Sequence, residues 1–281
     1  YAAFMAKKML EEKGMNIKVV TTLHGTDITL VGSHPTYKSA VEFSINNSDI
    51  VTAVSKSLKD DTLRLFNITN DIQVVPNFID LEKHLNHFTD CQRAMLANDN
   101  QKVITHISNF REVKRIDDVI HIFNSIQKEI PATLMMVGEG PEKEPAERLC
   151  EKLGIEDKVK FLGNSNEIDK ILCFSDLFLL PSQTESFGLA ALEAMASGVP
   201  VISSNTGGIP EVNKHGVSGY LSNVGDIEDM SKNALKILKD EAVLAKFKEN
   251  AKREALQFDL HAIVPHYEDI YRLALSRCVS I

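Results

Sequence analysis

No apolar run in this sequence reaches the ~18 residues that mark a membrane-crossing helix, so no membrane span is expected. There is no basic tract either. The 31 Lys and Arg are scattered among 39 Asp and Glu, for a net charge of −8, which gives no electrostatic footprint for nucleic acid or an anionic membrane surface. Cysteine is scarce. Cys91, Cys150, Cys173 and Cys278 lie far apart and form no C-x-x-C pair, so reduced thiols are expected rather than a disulfide framework or a zinc site. G-x-G-x-x-G, the Walker A sequence, H-E-x-x-H and G-x-S-x-G are all missing, and no pair of acids has clear metal-ligand spacing. The opening stretch, YAAFMAKKMLEEKG, carries helically spaced Phe4, Met5, Met9 and Leu10 and stops at Gly14. It has no initiator Met, helix cap or secretory pattern. The chain is therefore expected to be N-terminally truncated, with strands and helices upstream.

What is present is an ordinary globular composition, 43% apolar and 25% charged over 281 residues, enough for more than one domain. Short β-branched runs at 16–22, 49–54 and 72–75 read as buried parallel strands, separated by helical patterns at about 36–47 and 56–66, the second capped by Ser55. Residues 77–100 turn polar and weakly periodic, as an interdomain crossing does. A fresh series then begins: strands at 102–108, 133–138, 158–163, 177–182, 200–204 and 219–223, alternating with helices. In the first of those helices Ile116, Val119, Ile120, Phe123 and Ile126 make one apolar face. Two helices fill 227–256, and a last one covers about 261–277. Repeated β-α order implies α/β architecture with two doubly wound, Rossmann-like parallel sheets, the first incomplete.

Ligands of such sheets bind beyond the carboxyl ends of the strands, so the loops there are where chemistry is sought. PSQTESFGLAALEAMASGVP ends a strand and begins a helix near Phe187 or Gly188. The first-turn N–H groups of Phe187, Gly188 and Leu189 form an anion site with the helix dipole. Glu193 follows Leu189 by one turn on the same face, roughly 6 Å along the axis, the reach from a diphosphate to a ribose whose vicinal hydroxyls a carboxylate can accept. Glu185 precedes the helix on the other side of the phosphate position. On spacing alone the plainer reading is favoured, with Glu185 a dipole-stabilised entry acid and Glu193 a helix-surface acid. ISNFREVKRID places Arg111 and Lys114 where cations meet a diphosphate, or where a solvated basic loop would lie. His24 in TTLHGTD ends a strand beside Gly25 and can donate to a substrate oxygen, although a lone His is more often structural. The other histidines fall in helical or linker contexts and attract no hypothesis. Gly138 and Gly140 in VGEGPE, and Gly207 and Gly208 before Pro210, read as turns after strands.

Taken together, PSQTESFGLAALEAMASGVPVISSNTGGIPEV resembles the donor site of the retaining GT-B glycosyltransferases, whose Glu-x7-Glu motif matches ESFGLAALE. The likeness runs from about His24 to the C-terminal helix. It implies that residues 1–78 are the C-terminal half of an acceptor-binding domain, 79–100 the crossing, 101–256 the nucleotide-sugar donor-binding domain, and 257–281 a helix packing back toward the N-terminal domain. It implies further that Glu185 contacts the donor sugar, that backbone amides of Phe187, Gly188 and Leu189 serve sugar and phosphate, that Glu193 binds the ribose and that Lys114 binds the diphosphate. The family's Arg position, five before that Lys, is Asn109 here, while Arg111 is only three before; the resemblance leaves the role open between them. Leu162, Gly163 and Asn164 match the base-reading loop, Gly140 joins the donor set, and His24 matches a residue beside the reacting centre. The implied catalytic set is His24, Lys114 and Glu185.

Within the family, TTLHGTDITLVG, FSINNSDIVTAVSKSLK and ISNFREVKRIDDV look like the bacterial, cytoplasmic bacillithiol-pathway enzymes that join N-acetylglucosamine from UDP-GlcNAc to L-malate. That likeness implies no cofactor and no metal requirement, with Thr22, Thr26 and Lys56 as acceptor-binding candidates. It leaves a homo-oligomer open. Same-face attack assisted by the departing phosphate is the implied retaining route, with a covalent route through Glu185 as the alternative. Because a strand and Gly-rich loop of the acceptor domain are missing, this piece is expected to be inactive or nearly so. The rival readings are another acceptor, a non-catalytic nucleotide-sugar-binding module, and a GT-B sugar epimerase; the glutamate pair and the TTLHGTD loop favour transfer.

Overall fold

A computed structural model of the chain describes residues 1–26, 28–29, 34–82 and 101–276. The chain divides into two compact units: Tyr1–Phe78 with Phe258–Ile281, and Ile79–Gln257. Most of the polar crossing at 79–100 lies outside the described residues.

In the first unit, β1 (Val20–Leu23), β2 (Ile50–Ala53) and β3 (Ile72–Val74) form a parallel sheet in that order. All four residues of β2, the central strand, are buried, which is why its sequence is continuously apolar apart from one threonine. The helix Lys56–Leu65 follows β2, and Ser55 caps it by accepting a hydrogen bond from the Leu58 amide at 3.0 Å, as its sequence position predicts. The last helix, Leu260–Ser276, joins this unit: Ile263, Ile270 and Ala274 pack with Ile50 and Val75, and the Tyr267 hydroxyl donates to the Val75 carbonyl at 3.3 Å.

The second unit holds a six-stranded parallel sheet built from β4 (Lys102–Ile107), β5 (Ala132–Val137), β6 (Val159–Gly163), β7 (Leu177–Leu180), β8 (Val201–Ser204) and β9 (Gly219–Ser222). Their order is β6-β5-β4-β7-β8-β9, the doubly wound arrangement that reverses direction between its first and fourth strands. Here that switch point lies between β4 and β7. The five apolar positions of the Ile116–Gln127 helix are each at most 1% exposed and form the core with β4 and β5. At the amino ends of β4 and β7, buried Asp176 accepts from the Val103 amide at 3.0 Å and pairs with Lys248 at 2.8 Å. This compensates the carboxylate for loss of water and fastens the two strands that flank the switch point.

The expected strands and helices are all found, with ends differing by a few residues, the largest difference being the first strand, which begins at Val20 rather than 16. One expectation is corrected. Cys150 is a free, buried thiol, but Cys173 is disulfide-bonded. Wide separation along a sequence says nothing about approach in space, which is what a disulfide requires.

Candidate active site

At the carboxyl ends of β4 and β7 lies a cleft of about 560 Å³, lined by Ser108, Asn109, Lys114, Gly138, Asn164, Ser165, Asn166, Leu180, Glu185, Leu189 and Glu193 among others. It sits at the topological switch point, where open α/β sheets bind ligands. It is not the roomiest depression of the unit. A larger groove of about 740 Å³ runs along the outer helices Ile116–Gln127 and Ile227–Leu238, but it is a furrow between two helices, away from the strand ends, and lacks converging polar groups from several loops.

Three loops build the cleft. After β4, residues 108–111 lead into a single 3₁₀ turn, Glu112–Lys114. Arg115 then takes a left-handed backbone, φ 52°, the single non-glycine residue with positive φ among the described residues. It is held there by an ion pair from its Nε to Asp118 at 2.5 Å. That turn breaks the chain direction between the 3₁₀ turn and the following helix and aims Lys114 at the cleft. After β7, the Gln183 amide donates to the Val113 carbonyl at 2.8 Å, so the Lys114 turn and the Glu185 loop are joined through their backbones. The two side chains then meet: Lys114 Nζ lies 2.5 Å from Glu185 Oε1, which also accepts from the Ser182 hydroxyl at 3.0 Å. After β8, the Gly208 amide donates to the Glu185 carbonyl at 2.9 Å and the Thr206 hydroxyl to the Gln183 carbonyl at 3.2 Å.

The helix that follows, Leu189–Ala196, starts from Gly188, whose φ of 94° turns the chain into it. Ala191, Leu192, Ala194, Met195 and Ala196 are buried, so the apolar residues of the stretch hold the helix on the sheet. Leu189 and Glu193, one turn apart, border the cleft, as the helical spacing requires. The amides that open this helix, with its dipole, favour an anion.

Glu193 titrates unusually. Burial, and secondarily the charge of Asp169, push its carboxyl from 4.5 up to about 7. The folded chain thus binds this proton more tightly than the unfolded chain does. Stability attached to Glu193 is intact below about pH 4.5 and is lost as pH rises through about 7. Glu193→Gln is therefore expected to raise Tm at about pH 8 and to leave it nearly unchanged at about pH 4. Thermal unfolding at the two pH values checks this; an equal shift at both would show that the carboxyl is not strained by its site.

Of the donor residues expected from the sequence, Asn109, Lys114, Asn164, Glu185, Leu189 and Glu193 come together around the cleft. The rest stand back from its lining. Arg111 is exposed, whereas Asn109, the other residue open for the family's Arg role, lines the cleft. Gly140 packs its backbone against that of Phe110, where an added Cβ would lie 2.4 Å from the Phe110 carbonyl oxygen. Leu162 and Gly163 end β6, and the Gly163 carbonyl accepts from the Gly138 amide at 2.9 Å. Phe187 is only 3% exposed, its ring spent on the core, and Gly188 starts the helix. In the other unit, His24 is exposed just beyond the carboxyl end of β1. Thr22 lies within β1 and its hydroxyl accepts from that of Thr52 at 2.9 Å. Thr26 is exposed, and exposed Lys56 pairs with Asp60 at 3.0 Å.

The sequence singles out neither Ser165 and Asn166, which line the cleft, nor Ser108 and His106. Ser108 lines the cleft, and beneath it His106 is fully buried, its ring nitrogens 2.8 Å from the Leu179 carbonyl and 2.7 Å from the Ser108 hydroxyl. His106 lies inside β4, in neither a helix nor a linker. Burial pulls its pKa down to about 4, against the hydrogen bond to Leu179 and with the charge of Lys114 adding to the depression. Inside KVITHI the histidine follows the buried Thr105, and the sequence alone does not distinguish it from an ordinary polar strand residue. Among the described residues, no group of three or more His, Cys, Asp or Glu could hold a metal ion, and no helix is long and apolar enough to cross a membrane.

Two parallel sheets, the six-stranded one doubly wound and carrying a cleft where a lysine pairs with a carboxylate beside a helix start, match the fold of the GT-B glycosyltransferases. The group 1 glycosyl transferase family model matches residues 89–254, and the glycosyltransferase family 4 model matches residues 1–83. The chain belongs to the group 1 glycosyltransferases and is a glycosyltransferase. It is 45% identical to the N-acetyl-alpha-D-glucosaminyl L-malate synthase of Bacillus anthracis over 96% of this chain and 70% of that protein. It is 25% identical to the 2-deoxystreptamine N-acetyl-D-glucosaminyltransferase of Niallia circulans over 85% of this chain and 63% of that one. Its fold is similar to that of Anabaena Alr3699/HepE, solved in complex with UDP and glucose, with a TM-score of 0.85 at 22% identity over 96% of this chain and 75% of that one.

Proposed function

We propose that this glycosyltransferase moves N-acetylglucosamine from UDP-GlcNAc to the hydroxyl of L-malate with retention of anomeric configuration. The observation that carries the reading is the pairing of Lys114 with Glu185 at the mouth of a helix start, with Glu193 one turn further in. It gives one cation and a row of amides for a diphosphate, flanked by a carboxylate on either side for hydroxyls. The similarity to the Bacillus anthracis enzyme supports the choice of sugar and acceptor.

In this reading the bond between the anomeric carbon and the diphosphate oxygen breaks, and UDP leaves with the electron pair. Lys114 and the first-turn amides of the Leu189–Ala196 helix stabilise the charge that develops on it. The malate hydroxyl oxygen attacks the same face, and its proton passes to the departing phosphate oxygen. Glu185 holds sugar hydroxyls, Glu193 holds the ribose, and His24 positions the sugar by hydrogen bonding. The reaction needs no resident cofactor or metal.

The test is calorimetry with UDP-GlcNAc followed by product analysis with L-malate, on the protein as the cell makes it. Formation of the α-linked N-acetylglucosaminyl malate, unchanged by EDTA, is the expected result. Binding without product would indicate a non-catalytic module or a different acceptor. Release of UDP with an epimerised sugar would indicate an epimerase, and loss of activity in EDTA would refute metal independence.

A further inference from the structure

The buried pair beneath the cleft has a proton arrangement that its partners dictate. The Leu179 carbonyl can only accept, so the His106 Nδ1 that lies 2.8 Å from it must carry a hydrogen. His106 is wholly buried, and at neutral pH it is uncharged because burial pulls its pKa down to about 4. A neutral imidazole with hydrogen on Nδ1 has a bare lone pair on Nε2. The Ser108 hydroxyl, 2.7 Å from Nε2, must then donate to it. A serine has a single hydroxyl hydrogen. With that hydrogen turned inward, the oxygen offers only lone pairs to the cleft that Ser108 lines.

We infer that Ser108 is a specificity-determining residue that meets the nucleotide sugar only as an acceptor, and that His106 is the positioning residue that fixes it so. A phosphate oxygen at this point finds no donor and meets a lone pair. The group that fits is one with a hydrogen to give, a hydroxyl or N–H of the nucleoside or of the sugar. Ser108 thereby sorts the cleft: amides and Lys114 take the diphosphate, and the wall at the end of β4 takes a hydrogen-bond donor. The choice of ligand rests on the proposed function above; the proton arrangement does not.

The arrangement can be observed directly. In histidine-selective ¹⁵N spectra of the ligand-free protein, with the signal assigned through His106→Gln, the ring is expected to carry its hydrogen on Nδ1 and to show a bare Nε2 at neutral pH. A hydrogen on Nε2 overturns the inference. Calorimetry with UDP and with UDP-GlcNAc tests the consequence. Ser108→Ala is expected to weaken binding of UDP-GlcNAc about three- to tenfold, the worth of one hydrogen bond, whereas Ser108→Thr, which keeps the hydroxyl, stays within about twofold. An equal loss with UDP locates the partner on the nucleoside, and a loss confined to UDP-GlcNAc locates it on the sugar; either supports the inference. Unchanged affinity of Ser108→Ala for both ligands overturns it. Wild-type protein that binds neither ligand sinks the functional reading and the ligand assignment, while the spectrum still reports on the ring.

Discussion

Lys114→Ala is expected to lower kcat for sugar transfer by about 10²–10³, the usual cost of deleting one group aimed at developing charge, with a much smaller effect on folding. The lysine side chain is 20% exposed and its partner Glu185 14% exposed, at a contact of 2.5 Å. Such a pair is neither a surface ion pair of negligible worth nor a fully buried one. An ammonium has three hydrogens to give, so Lys114 can keep Glu185 and still donate to a diphosphate. Its removal costs the leaving group its cation and leaves the carboxylate with the Ser182 hydroxyl at 3.0 Å. Glu185→Ala should likewise abolish turnover while the protein stays folded. Because the two residues share a contact, the double variant should lose much less than the sum of the single losses. Steady-state kinetics of the three variants, made in the protein as the cell makes it, with thermal unfolding as a control, decide the matter. A Glu185→Ala enzyme with wild-type kcat would remove that residue from the site.

The sequence made the scaffold and the polar poles of the site legible for identifiable reasons. Strands buried on both faces read as apolar runs, and the helix Ile116–Gln127 shows its core face at periodic positions that are each at most 1% exposed. Glu185, before the Leu189–Ala196 helix, and Glu193, within it, separate from ordinary helix acids only through the family resemblance of ESFGLAALE, since spacing alone favours the plainer reading. Three things were hidden. The strand order, which puts the loops after β4 and β7 side by side, depends on pairings that no local pattern encodes. Arg111 and Asn109 sit two residues apart in one loop, and only the backbone path shows which one lines the cleft. His106 reads as an ordinary member of KVITHIS, and its bond to Leu179, 73 residues on, appears only when β4 and β7 are paired. The pair Gly207–Gly208 was seen as a turn, but its main service is to the loop beside it.

That service yields the second large effect. Gly207→Ala is expected to abolish donor binding and turnover, whereas Gly216→Ala is expected to leave both intact. The two glycines have comparable left-handed backbones, φ 56° and 75°, and alanine pays a similar conformational cost at each, about 1–2 kcal/mol. They differ in what a new methyl meets. At Gly216 nothing lies within 4 Å; at Gly207 the Cβ would stand 1.9 Å from the Glu185 carbonyl oxygen and 3.0 Å from its carbon. That carbonyl is the one that accepts from the Gly208 amide at 2.9 Å, so the methyl cannot be admitted without driving the Glu185 loop off its support. The carboxylate would then leave Lys114, and the start of the Leu189–Ala196 helix would follow. Thermal unfolding should show a comparable conformational penalty in both variants plus an additional loss at Gly207, and calorimetry with UDP-GlcNAc should separate them sharply. Wild-type donor affinity in Gly207→Ala would mean that the loop after β8 does not hold Glu185 in place.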